Sequence, residues 1–272
     1  MPTVIDIDPP AGSLVRFISD LHLAHKRGNA PADLWALMEG VDMLVLCGDT
    51  AETRATCAER EHSMHLREQL RADAAARGVT LIELAGNHDP DIEPMLARFW
   101  GGKVVAMHGH CILPQVSPWS REYLSAKSRV RDIISTYPPV AEGESPLEHC
   151  LELTRRIARE LSHHVPPKKK GKSRGGLLHE LYHCFWPPTR PLSIVTSWLT
   201  CGWRAERWAR RYVPEAELLI FGHFHRTGRW QYGRRTSLNT GAWFQHATPY
   251  AVDVQDGRLL RYFCILPHGG GS

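Results

Sequence analysis

The sequence predicts an α/β fold with parallel strands. Three observations carry this. Apolar, strand-like runs alternate with helical patterns through the first hundred residues. Residues 41–47 are nearly all apolar, as a strand buried on both faces must be. Five such runs stop abruptly at clusters of Gly, Asp, Asn and His, and open α/β sheets keep their ligands at the carboxyl ends of their strands.

The elements follow in order. Residues 14–19 read as a strand ending at Asp20-Leu21-His22, and 31–39, opening with Pro31 and Asp33, as a short helix. The strand at 41–47 ends at Gly48-Asp49. Residues 56–77, rich in Ala, Arg, Glu and Leu, form a long helix stopped by Gly78. The β-branched, apolar run 79–84 is a strand ending at Gly86-Asn87-His88-Asp89. A short helix is expected over 91–100, then a strand over 103–107 ending at His108-Gly109-His110. Residues 114–215 hold no convincing strand. Their helical patterns at 119–135, 146–163, 175–186 and 192–212 read as a helical insertion, or cap, on one domain spanning 1–272. Strand 217–221 ends at Gly222-His223-Phe224-His225. Strands at 236–239, 250–254 and 259–265 close the chain, the last two joined by the turn signal Asp256-Gly257.

Composition excludes several classes. The 272 residues are 43% apolar, enough for a sizeable core, and carry a net charge of +4, too weakly basic to argue for nucleic acid. Seven cysteines, with no CxxC among them, support neither a zinc ribbon nor a disulfide framework, so a reducing cytoplasm is expected. The first twelve residues are acidic and Pro-rich and do not read as a signal peptide. No apolar run approaches the ~20 residues of a membrane span. Neither a Gly-x-Ser-x-Gly elbow nor a P-loop is present.

A parallel sheet brings its strand ends to one edge, so the five polar clusters can converge. Buried asparagine, imidazole and carboxylate groups need polar partners. As a set they suit Mn²⁺, Fe or Zn²⁺ rather than Ca²⁺. There are too many for one ion with open positions, and two ions roughly 3.5–4 Å apart, sharing one carboxylate, would use them all.

This ordered set resembles the calcineurin-like metallophosphoesterase superfamily over residues 14–110 and 217–265. The resemblance implies a four-layer α-β-β-α sandwich and a metal-dependent phosphoesterase. It implies that Asp20, His22 and His225 hold one ion, that Asn87, His108 and His223 hold a second, and that Asp49 bridges. His88 would face the substrate outside the metal shell, with Asp89 orienting its ring, and His110 has no ligand role. A bridging hydroxide would attack phosphorus, and His88 would protonate the leaving oxygen.

The opening Ile18-Ser19-Asp20-Leu21-His22-Leu23 is similar to that of UDP-2,3-diacylglucosamine pyrophosphatases, which carry Arg where this chain has His88. The insertion bears on the substrate. Its apolar helix faces and the arginines 204, 207, 210 and 211 read either as a structural helix pair or as a cap touching lipid or the membrane surface. Lys168 to Arg174 would serve a nuclease of the same superfamily, the less favoured nucleic-acid reading. A metal-bound scaffold without catalysis is the non-enzyme alternative. His62, His65, His163, His164, His179 and His183 read as helix-surface residues, His25 as an exposed loop residue and Cys47 as core, while His246 is left open between pocket and surface.

Overall fold

A computed structural model describes residues 2–23, 34–54, 57–163, 189–243 and 247–265. Strands β1 (Val4–Ile7), β2 (Leu14–Ile18), β3 (Met43–Cys47), β4 (Thr80–Leu84), β5 (Leu96–Phe99), β6 (Val104–Met107), β7 (Leu218–Phe221), β8 (Gly228–Tyr232), β9 (Arg235–Asn239), β10 (Tyr250–Gln255) and β11 (Arg258–Cys264) form two sheets. One has the order β11-β10-β2-β3-β4, the other β1-β5-β6-β7-β9-β8. In the first, β2, β3 and β4 run parallel, with Phe17 level with Val45 and Val45 level with Ile82. In the second, β6 and β7 run parallel, with Ala106 beside Ile220. These registers bring the five polar strand ends to a common edge.

The sheets face each other through Val15, Phe17 and Val45 on one side and Phe99, Val104 and Ile220 on the other. Phe17 meets Phe99 edge-on at 5.2 Å between ring centres. Outside the five-stranded sheet, α1 (Cys57–Ala76) sets Leu70 and Ala74 against Ile18, Leu44 and Leu46. Next come α2 (Arg121–Thr136), α3 (Pro146–His163) and α4 (Thr189–Tyr212). Leu151 of α3 and Ala205, Trp208 and Ala209 of α4 cover Val105, Met107, Leu219 and Phe221 of the six-stranded sheet. The layers are therefore α-β-β-α. α2 begins at Ser120, whose hydroxyl accepts from Tyr123 N at 3.0 Å. It packs on α3 through Tyr123, Ala126 and Val130. The outer face of α4 leaves Leu192, Val195, Leu199 and Trp203 exposed. No helix among the described residues is long and apolar enough to cross a membrane.

Three local expectations need correction. Residues 91–100 do not form a helix: Leu96–Phe99 is a buried strand between β1 and β6. Pro94 disfavours helix at Glu93, and pairing on both edges decides the rest. Val4–Ile7, in a stretch given no element, is the strand β1, because Val-Ile-Asp-Ile finds a parallel partner in β5. Gly228–Tyr232, also given none, forms the antiparallel hairpin β8–β9, turning at Gly233 with φ +58°. Of the 31–39 helix, the described part is helical over 34–38, with Leu34 and Trp35 α-helical and Ala36–Met38 a 3₁₀ turn. The helix expected at 175–186 and the basic run 168–174 lie outside the described residues, as do His25, His164, His179, His183 and His246. His62, His65 and His163 are exposed, as expected. Cys47, Cys111, Cys150, Cys201 and Cys264 are free thiols.

One buried ion pair ties β2 to β10. Asp253, fully buried, accepts from Arg16 Nε at 2.7 Å and Nη2 at 2.9 Å, while Arg16 Nη1 donates to Leu37 O at 3.0 Å. Asp253→Ala leaves the Arg16 charge buried without its carboxylate. It should cost about 3–5 kcal/mol, measured as a lower urea midpoint at an unchanged m-value.

Candidate metal centre

The strand ends bend sharply. Asp20 (φ 55°), His22 (44°), Asp49 (51°), His223 (70°) and His225 (51°) all lie in the left-handed region. For a residue with a Cβ this costs roughly 1–2 kcal/mol. Such strain persists where the surroundings impose it, as at functional sites. Here the carboxylates and loop amides impose it on one another. Asp20 Oδ2 accepts from His223 N at 3.0 Å and from the Ser19 hydroxyl, and Asp49 Oδ1 accepts from His88 N at 2.8 Å. Ser19 Oγ lies 2.6 Å from Thr240 Oγ1, and Asn239 Nδ2 donates to Gly222 O at 2.7 Å. Gly86 and Gly222 allow this approach: a Cβ at the first would strike the Asp49 carboxylate, and at the second the Ser19 hydroxyl and the Asp20 carboxylate.

Each carboxylate thus spends one oxygen on the backbone and turns the other inward. Asp20 Oδ1 lies 3.1 Å from His225 Nε2 and 3.9 Å from His22 Nε2. Asp49 Oδ2 lies 3.6 Å from His22 Nε2 and 3.3 Å from His108 Nε2, so one oxygen faces both halves of the cluster. Asp20, His22, Asp49 and His225 present ligand atoms all within 4.8 Å of one another. Around His108 Nε2 gather Asn87 Oδ1 at 3.2 Å and His223 Nδ1 at 3.2 Å.

The tautomers decide what belongs among these atoms. His108 Nδ1 sits 3.0 Å from Cys47 O, and His223 Nε2 sits 2.9 Å from Val116 O. A carbonyl oxygen only accepts, so both of those nitrogens carry hydrogen. In the neutral rings, His108 Nε2 and His223 Nδ1 are therefore lone pairs. Asn87 Oδ1 and Asp49 Oδ2 are acceptors too. Three acceptors at 3.2–3.3 Å from the bare His108 Nε2 repel it unless a cation lies among the four. The residues fit a metal.

Without one, protons take that part. Burial alone would lower His108, but the Asp49 and Asp20 charges outweigh it and push the ring up to about 9. Burial is likewise overcome at His22, where Asp20, Glu52 and Asp49 raise it to about 10. Burial and the neighbouring His108 charge push His223 down to about 3. Asp49 is held well below the usual carboxylate range: burial opposes this, but the His108 and His88 charges prevail.

The expected residues converge, with one difference of role. Asp89 does not orient the His88 ring. Its carboxylate accepts from the amides of Gly86 (2.7 Å), Asp49 (3.2 Å), Thr50 (2.8 Å) and Ala51 (3.1 Å), clamping the β3 and β4 loops together. The ring partner is Glu52, whose Oε2 lies 2.6 Å from His88 Nδ1, with the Arg54 guanidinium against the same ring. Ser63 of α1 fixes that loop, accepting from Glu52 N and donating to Leu23 O, both at 2.8 Å. Sequence reading missed Glu52 and Arg54, although both lie within five residues of Asp49 in the same strand-end loop. His110 is buried beside His108 and His223, its ring centre 5.3 and 6.2 Å from theirs, and stands outside the ligand groups.

Two variants separate the carboxylates. Asp49→Ala should abolish tight divalent-cation binding, because its inward oxygen faces both halves of the cluster. Elemental analysis after gel filtration reads this out, and undiminished metal in the variant would refute that role. Asp89→Ala should instead destabilise the fold, by about 3 kcal/mol or more for the loss of charge-assisted bonds, seen as a lower denaturation midpoint even in metal-free protein.

The model of the family described as calcineurin-like phosphoesterase matches residues 14–227. No curated protein matches the chain in sequence. Among solved structures, a dimetal phosphatase from Danio rerio is 14% identical, covering 94% of this chain and 99% of that one, at a TM-score of 0.46. A cold-active protein-tyrosine phosphatase of a psychrophilic Shewanella is 12% identical, covering 98% and 83%, at 0.41. Vps29 from Entamoeba histolytica, complexed with Zn²⁺, is 14% identical, covering 93% and 99%, at 0.35. At this distance the structural neighbours bear on neither activity nor partner. The match over residues 14–227, on the strands whose ends gather these histidines and carboxylates, makes the chain a member of the calcineurin-like phosphoesterase family.

Proposed function

We propose that this protein hydrolyses phosphate esters with the help of two divalent cations. The observation that carries the reading is Asp49 Oδ2, a single inward oxygen within 3.6 Å of His22 and 3.3 Å of His108. Asp20, His22 and His225 would hold one ion, Asn87, His108 and His223 the other, with Asp49 shared. Oxygen and imidazole donors of this kind suit Mn²⁺, Fe or Zn²⁺. When bound, the ions would neutralise phosphate oxygens and lower the pKa of a water toward neutrality.

The chain's own contribution is proton delivery and charge. Glu52 Oε2, 2.6 Å from His88 Nδ1, keeps a hydrogen on that nitrogen. His88 Nε2 lies 3.8 Å from Asp49 Oδ2 and is in contact with the Arg54 guanidinium, which only donates, so Nε2 accepts there. When a phosphate oxygen takes the guanidinium, Nε2 is freed to carry a proton, and the ring can pass it to the leaving oxygen and remain as the neutral form that Glu52 already holds. Burial and the Arg54 charge lower the His88 pKa against the pull of Glu52. Arg54 adds a guanidinium at the same wall, suited to a phosphate oxygen. A scaffold without catalysis has no use for this His88–Glu52–Arg54 group, which favours the enzyme.

Hydrolysis of p-nitrophenyl phosphate and bis-p-nitrophenyl phosphate with Mn²⁺ tests the class, and activity on neither with two ions bound would favour the scaffold. His88→Asn should keep the ions and slow turnover about 10²–10⁴-fold, with a smaller loss for p-nitrophenyl than for alkyl esters. Glu52→Gln should give the same leaving-group pattern at smaller amplitude. Equal losses across leaving groups would make His88 a phosphate holder instead of a proton donor.

A further inference from the structure

Beside the metal centre lies a recess of about 180 Å³ walled by Trp119, Ile194, Ser197, Trp198 and Phe224, and it opens on His223 and His225. Its walls are fixed in place. Arg190 Nε donates to Trp119 O at 3.0 Å, and Trp198 Nε1 donates to Phe224 O at 2.9 Å. The Trp119 ring lies 5.3 Å from the His223 ring and 5.9 Å from the Phe224 ring, tilted about 40° to each. Ser197, buried on α4, is the one polar side chain among the five.

The lining of the recess holds His223 and His225 but none of His88, Glu52 and Arg54. The His88 ring meets the cluster at His22, 4.7 Å between ring centres, while the His22 ring lies 5.4 Å from that of His225. The recess and His88 therefore border different residues of the cluster, and a compact group on the oxygen that takes its proton from His88 stays outside the recess. A phosphomonoester has only that one group and would leave the recess empty. A diester has two.

Resting on the phosphoesterase reading, we infer that the substrate is a phosphodiester whose retained arm carries a flat aromatic ring seated between Trp119, Trp198 and Phe224. Hydrolysis breaks the P–O bond on the His88 side, the water oxygen forms the new P–O bond, the leaving oxygen takes the proton, and the ester bond to the ring-bearing arm stays intact. The volume agrees. At about 30 Å³ per water it holds roughly six waters, room for one ring system and too little for a long acyl chain. It is also smaller than a whole-ligand pocket of about 300–1,000 Å³, as suits one arm of a substrate.

The test varies the retained arm at constant leaving group. Phenyl p-nitrophenyl phosphate, thymidine 5′-(p-nitrophenyl phosphate) and methyl p-nitrophenyl phosphate are compared on the Mn²⁺-loaded chain. At least one aromatic arm should exceed the methyl ester in kcat/KM by about tenfold or more, and which one does distinguishes an aryl from a nucleoside source. The ratio should fall to near one in Trp119→Ala and in Ile194→Trp, which fills the recess without removing a wall. Equal kcat/KM for all three esters, or a preference that survives both variants, overturns the inference while leaving the phosphoesterase reading intact. If no ester turns over, that reading fails, and calorimetry of phenylphosphonate against methylphosphonate still decides on the recess: tighter phenyl binding that is lost in Ile194→Trp supports it, and equal binding overturns it.

Discussion

The structure depends on a crowd of lone pairs that cannot coexist unaided. His108 Nε2, His223 Nδ1, Asn87 Oδ1 and Asp49 Oδ2 point at one small volume, and backbone carbonyls deny the two rings the tautomers that would relieve the repulsion. Cys47 O and Val116 O thereby matter as much as the two rings, because each fixes which nitrogen is bare. The arrangement is stored by the fold: strained left-handed residues at the strand ends, cross-loop amide contacts to Asp20 and Asp49, and the Asp89 clamp below.

A division of labour among acids follows. Asp20 and Asp49 each have one oxygen on a loop amide and one turned inward, so the bond that shapes the loop also aims the ligand. Asp89 gives both oxygens to amides and is wholly architectural. Glu52 gives its carboxylate to imidazoles, closest to His88 and more distantly to His22. Acids of nearly the same chemistry thus shape, hold or tune according to how many oxygens the backbone has already taken.

Much of this was legible in the sequence. The apolar runs named the five strands that meet at the candidate site, and the abrupt switch to Gly, Asp, Asn and His named the groups at their ends. The rest was not legible, for physical reasons. Val4–Ile7 and Leu96–Phe99 are four-residue strands that exist because they pair with each other, and so short a run carries no period of its own. The Asp89 role failed because adjacency to His88 says nothing about side-chain direction, and the nearby free amides captured the carboxylate. Trp119 and Trp198 meet beside His223 only through the packing of distant segments, which no spacing encodes.

The bond from His223 N to Asp20 Oδ2 spans 203 positions of chain, and Gly222 N to His108 O closes the long stretch between β6 and β7. Contacts of such range slow folding, because the loop between them must be closed before they form. The entropy of closing a loop grows only with the logarithm of its length, about 0.6 kcal/mol per doubling. Loop closure by itself therefore puts little limit on how much chain lies between His108 and Gly222. What that chain must keep is Val116 O against His223 and the faces of α3 and α4 that cover the six-stranded sheet, and the walls of the aromatic recess, apart from Phe224, come from the same stretch.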